Sequence, residues 1–110
     1  MNYENIIPIA RQDAEIAFLS NDTRMICDAL VRIAYHDPDW RWVQSHCLSF
    51  GKHSASEVRG LSVICIGHLV RIHGTIDEIS AYLLLYELLE DPEVSGYAQD
   101  ALDDINIYLQ

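Results

Sequence analysis

The segment from Ser54 to Gly74 constrains this 110-residue chain more than any other stretch. Ser54 and Glu57 have the spacing of a capping box, in which each side chain satisfies a backbone N–H of the other residue. Between Leu61 and Ile72 only Ser62, His68 and Arg71 are clearly polar, so apolar side chains point to nearly every side of the predicted helix. A helix that is apolar all round needs neighbours on several faces. Gly60 and Gly67 would let other helices approach closely. Each costs up to ~1 kcal/mol of helix propensity, which packing must offset. Gly74 supplies the left-handed residue that ends many helices. The segment is expected to be the buried central rod of a small all-α domain.

Five further helical segments surround it. Ile6-Ile7-Pro8-Ile9, then Ala10, Asp13, Ala14, Ala17 and Phe18, predict a first helix from about residue 7 to 20, since proline is tolerated in a first turn. Asn21 or Asp22 caps a second helix with the stripe Ile26, Ala29, Leu30, Ile33 and Ala34. Pro38 pushes Asp37 out of the α region and ends it. Asp37, Pro38 and Asp39 then read as the N-cap, the first residue and a dipole-facing acid of a third helix that reaches about Phe50 and ends at Gly51. Trp40 and Trp42 fall on different faces, so one is expected in the core and the other free for contact.

Thr75 and Glu78 repeat the capping-box spacing and open a fifth helix through Ile79, Leu83, Tyr86 and Leu89. Asp91-Pro92-Glu93 repeats the cap of the third helix. The last helix carries a core stripe of Val94, Ala98, Ala101, Leu102, Ile105 and Leu109. Its outer face holds Glu93, Gln99, Asp100, Asp103 and Asn106, with Tyr97, Asp104 and Tyr108 along the border. No segment reads as a strand. Six helices joined by short linkers predict three antiparallel hairpins in a single domain, residues 1–110.

Charge narrows the function. Seventeen acids against seven bases leave a net charge of −10. Residues 1–74 hold eight acids and all seven bases, for −1, whereas residues 75–110 hold nine acids and no base, for −9. That balance opposes nucleic-acid binding, which requires Lys and Arg to neutralise phosphates. It favours a cationic partner, because a surface of one sign steers association. The longest uninterrupted apolar run, Ala81–Tyr86, is far short of the ~20 residues that a membrane span requires, and no secretory signal opens the chain. Cys27, Cys47 and Cys65 are odd in number, widely spaced and set in apolar helices. They read as reduced core thiols of a cytoplasmic protein.

Reactive constellations are sparse. Cys65 and His68 stand three apart on one helix face, but a structural zinc takes four ligands and no second pair accompanies them. Asp100, Asp103 and Asp104 offer carboxylates to a divalent cation, yet no matching carboxylate pair lies on another helix, so a solvated face or a protein contact is expected. No Ser-His-acid or Cys-His arrangement occurs in a suitable turn, and no Gly-rich phosphate loop is present. The expectation is a protein that is not an enzyme and uses no cofactor or metal. Turnover lost on mutating His36, His68 or His73 would instead reveal a helical-repeat lyase or hydrolase.

The chain also repeats itself. Trp42–Gly51, Glu57–Gly67 and Glu93–Asp103 echo one another, and Val58 and Val94 stand 36 apart. A helix, an Asp-Pro turn and an acid-Val-Arg opening of an amphipathic helix resemble HEAT repeats over roughly residues 22–109. That resemblance implies a short right-handed α-α superhelix of three hairpins, each burying its apolar side on the next.

Three stretches resemble something narrower: His36-Asp37-Pro38-Asp39-Trp40-Arg41-Trp42-Val43-Gln44, Glu57-Val58-Arg59 through Gly67 to Gly74, and Ala101-Leu102-Asp103-Asp104-Ile105. They are similar to small bacterial HEAT-repeat immunity proteins of polymorphic toxin systems, including contact-dependent growth inhibition. The resemblance implies a cytoplasmic protein that neutralises one cognate toxin domain, often a nuclease, with a ribonuclease favoured, and that binds neither nucleic acid nor membrane. A small HEAT-repeat adaptor without a toxin partner is the alternative. On the inhibitor reading, acids and aromatics of the anionic third form the contact: Glu93, Tyr97, Asp100, Asp103, Asp104 and Tyr108, with Asp39 and Trp40 at the other end.

Overall fold

The structure, a computed structural model, describes residues 6–109. Six helices follow in order: α1 (Arg11–Phe18), α2 (Thr23–His36), α3 (Trp40–Phe50), α4 (Ser56–His73), α5 (Glu78–Leu88) and α6 (Ser95–Tyr108). No strand occurs among the described residues. The fold is all-α.

Aspartate side chains cap α2 and α3, the other helices begin without a side-chain cap, and several begin later than the sequence predicts. α1 starts at Arg11 because the chain before it is clasped by α2. Arg32 donates from Nε to the Ile7 carbonyl at 3.0 Å and from Nη2 to the Pro8 carbonyl at 2.9 Å, while His36 Nε2 donates to the Ile6 carbonyl at 2.6 Å. Asp22, rather than Asn21, caps α2 by accepting the Arg24 and Met25 amides.

Asp37 does not cap α3. It closes α2 in an extended conformation, and its carboxylate accepts the Asp39 amide at 2.8 Å. This Asx-type turn hands the cap to Asp39, whose carboxylate accepts the Trp42 amide at 3.2 Å. Pro38 therefore lies between the two helices, outside the first turn.

Neither expected capping box forms. α4 starts at Ser56 after Ala55, with no side-chain cap. Arg59, in the first turn of α4, instead reaches back from Nη1 to donate to the carbonyls of His53 and Ser54, both at 3.0 Å, and so fixes the entry of the chain. At α5 the buried Gln44 does the work assigned to Thr75. Its Oε1 accepts the Asp77 amide and its Nε2 donates to the Asp77 carbonyl, both at 2.9 Å. Asp91-Pro92-Glu93 forms a turn before α6 rather than its cap, with the Asp91 carbonyl accepting the Ser95 amide at 2.8 Å.

The helices pair as α1/α2, α3/α4 and α5/α6, and α4 packs on α2, α3 and α6 at once. An unbroken row α2–α4–α6 results, with α1, α3 and α5 behind it. α4 is the expected spine: ten of its residues, from Val58 to Val70, are buried. Gly67 lets α6 in, since a Cβ there would stand 2.7 Å from Asp104 Oδ2. Gly74 ends α4 at φ 65°, as predicted. The molecule measures 33 × 28 × 25 Å, nearly as wide as the stack is long.

Two faces differ from expectation. α5 buries Ala81, Leu84, Leu85 and Leu88, while Ile79, Leu83 and Tyr86 point outward. The helix is apolar on both sides, so spacing alone does not choose the packed one. Both tryptophans are half-buried: Trp42 under the Arg11 guanidinium at 4.3 Å, and Trp40 under Arg41 at 4.6 Å. The α6 stripe is buried as predicted, except that Leu109 is only half-covered.

Candidate partner-binding surface

Where α4 and α6 meet, the row of helices leaves a shallow depression of about 200 Å³, lined by Ile64, Gly67, His68, Arg71, Tyr97, Asp100 and Asp104. A polar belt forms part of it. The Asp104 carboxylate accepts from Arg71 Nη1, and Arg71 Nη2 donates to His68 Nδ1. On the other side of the ring, His68 Nε2 lies 3.4 Å from the Tyr35 hydroxyl. A carboxylate on α6, two residues of α4 and a phenol on α2 are thus connected across all three hairpins.

The belt dictates the protonation of His68. The side chain is only 6% exposed. Burial, and then the adjacent Arg71 cation, push its pKa down to about 4. A guanidinium is only a donor, so Nδ1 accepts, and the ring is neutral at pH 7 with its proton on Nε2. This histidine is an internal structural group. His36 holds the Ile6 carbonyl elsewhere, so the histidines are not gathered into one cluster with it. Cys65 is fully buried, and its thiol is pushed well up by the hydrogen bond to Cys47 and by burial, away from the thiolate that a metal would require. Among the described residues no three His, Cys, Asp or Glu side chains stand together as metal ligands.

The candidate contact residues separate into groups. Tyr97, Asp100 and Asp104 share the α4–α6 depression. Asp100 and Asp103 are exposed and have no ion-pair partner among the described residues, and Asp103 accepts from Gln99 Nε2 at 3.0 Å. Tyr97 and Tyr108 are about half exposed. Glu93 lies at the base of α6, 3.5 Å from Arg59. Asp39 and Trp40 lie apart from this group. Trp40 lines a separate furrow of about 230 Å³ between α3 and the start of α5. Asp39 is tied to its own Trp42 amide and to Arg11 at 3.1 Å, and these two donors hold its carboxyl below the usual range.

Ion pairs thin the acidic end. Lys52 meets Glu87, Arg59 meets Asp91 and Glu93, and Arg71 meets Asp104. Four of the nine C-terminal carboxylates are therefore partnered by bases from α4 and the end of the α3 segment. Asp77, Glu78, Glu90, Asp100 and Asp103 make no ion pair among the described residues. Asp104 was in the expected site but its partner Arg71 was not, because the 33 residues between them give no local spacing signal.

The class defined by this geometry is an all-α stack of three helical hairpins with an acid-rich final hairpin. Among solved structures, the chain is similar to one subunit of a CDI complex from Cupriavidus taiwanensis LMG 19424, at 30% identity and a TM-score of 0.86, covering 100% of this chain and 99% of that one. No protein-family model matches the chain, and no curated protein sequence does. The chain belongs to the same family as that CDI-complex subunit. No helix among the described residues is long and apolar enough to cross a membrane.

Proposed function

We propose that this protein is an immunity protein of contact-dependent growth inhibition. It binds a cognate toxin domain in the cytoplasm and neutralises it stoichiometrically, without catalysis. The observation that carries this reading is the end-to-end likeness to a subunit of a CDI complex. Its charge supports the inhibitor's side of such a pair. A nuclease, and a ribonuclease foremost, needs a cationic groove for its polyanionic substrate, and carboxylates on a rigid scaffold can occupy the phosphate positions. The hairpin stack, read as HEAT-like, holds those carboxylates on a fixed frame.

The contact is centred on Tyr97, Asp100 and Asp103, with Asp104, Glu93 and Tyr108 around them, and Asp39 and Trp40 form a separate edge. Charge here sets the on-rate, while aromatic anchors set the lifetime of the complex. The test is charge reversal at the two unpaired acids, Asp100→Lys with Asp103→Lys. Circular dichroism should stay unchanged while protection of toxin-expressing cells is lost. Full protection by the double variant would refute the acidic-face mechanism, and failure of the wild-type protein to bind the toxin domain encoded beside its gene would refute the immunity role.

A further inference from the structure

α5 carries an apolar stripe on each side. The inner stripe, Ala81, Leu84, Leu85 and Leu88, is buried. The outer stripe, Ile79, Leu83 and Tyr86 at i, i+4 and i+7, is 74%, 70% and 58% exposed. Side chains at this spacing form one continuous ridge along a helix. Tyr82 stacks on Tyr86 with ring centroids 5.8 Å apart and widens the ridge on one flank. On the other flank lies a depression of about 170 Å³, lined by Leu48, Lys52, Ser80, Leu83, Leu84 and Glu87. An apolar helix face normally has a neighbour, and none of the described residues covers this one.

The charges around the ridge select its occupant. Glu78 precedes it and Glu90 follows it, and neither makes an ion pair among the described residues. Glu87 borders it, 3.7 Å from Lys52. Residues 75–110 contain no base. A second copy of the chain on this face would bring two sets of these carboxylates together, with Lys52 as the nearby cation in each. Like charges across an interface suppress such a pairing. A partner with an apolar strip bordered by Lys or Arg meets no such penalty.

We propose that the outer face of α5 is the apolar anchor by which this protein holds a basic partner protein, with Leu83 and Tyr86 at its centre and Glu78 and Glu90 as its charged ends. The inference rests on the immunity reading and deepens it. The α6 acids guide the toxin domain in, and α5 retains it. Burial of exposed aliphatic and aromatic side chains gives an interface its slow dissociation.

Titration of a catalytically disarmed toxin domain, encoded by the reading frame adjoining this gene, tests it by surface plasmon resonance. Leu83→Glu, and separately Tyr86→Ala, should raise Kd more than about tenfold, chiefly through faster dissociation. Glu78→Lys with Glu90→Lys should slow association. All four positions lie on the outside, and thermal melts of each variant confirm that the fold is intact. Binding by Leu83→Glu within twofold of wild type overturns the inference and leaves the immunity reading standing. No binding by the wild-type protein overturns both. A concentration-dependent dimer of the isolated protein that Leu83→Glu dissolves shows that a second copy covers the ridge, and also overturns it.

Discussion

Gly51 adopts an ordinary right-handed conformation, φ −62°, and makes no use of glycine's backbone freedom. Its missing side chain matters for packing. A Cβ there would stand 2.5 Å from Leu84 Cδ2 and 3.0 Å from Cδ1, and Leu84 is buried. Gly51→Ala should therefore cost about 1–3 kcal/mol, the usual range for overpacking, read as a lower urea midpoint with unchanged m-value. His68 allows a second residue-level test. Its folded pKa of about 4 lies below the ~6.5 of an unfolded histidine, so the unfolded chain takes up the proton first as pH falls. The stability it supports is complete above about pH 6.5 and is lost as pH falls toward about 4. Urea midpoints measured near pH 7 and near pH 5 should differ, and His68→Gln should narrow the difference. Asp37, whose burial is outweighed by Arg11 and the Asp39 amide, and Asp39 also have lowered pKa values. They act in the same direction, but only in more acidic solution.

At the scale of the element, local signals and long-range ones parted company. Asp22 and Gly74 end or begin helices as their residue types predict, because both act within a single turn. The α6 stripe was legible because its opposite side is polar. The caps of α4 and α5 were not, since Arg59 and Gln44 arrive from positions that no capping pattern includes. The packed side of α5 was equally hidden, because two apolar stripes at the same spacing are equivalent until neighbouring helices choose between them. Asp39 shows what this means for assays. It is an N-cap as well as a candidate contact, so Asp39→Ala should lower stability even with no partner touching it. Asp39→Asn keeps a capping oxygen and removes the charge. A binding loss seen with alanine but not with asparagine, together with a lower melting temperature, would mark the residue as structural.

For the whole molecule, the lopsided charge was plain from composition, but its partial cancellation was not. The pairs Arg59–Asp91 and Arg71–Asp104 join residues 32 and 33 apart, and only the docking of α6 on α4 brings them together. The charge left on the final hairpin is therefore smaller than the sequence count. Association with a basic partner should slow steeply as salt rises from about 0.01 to 0.15 M, where the screening length shrinks from about 30 to 8 Å. Dissociation should change much less. Stopped-flow or resonance kinetics at several ionic strengths would separate the two, and a salt-independent on-rate would contradict electrostatic guidance.

The final hairpin sits at one end of the stack, with its bases contributed by the hairpin before it. A body about 30 Å across whose excess negative charge lies toward one pole has a permanent electric moment as well as a net charge. In the field of a cation-rich molecule it is turned before it is touched, and reaches first contact with its acidic pole in front.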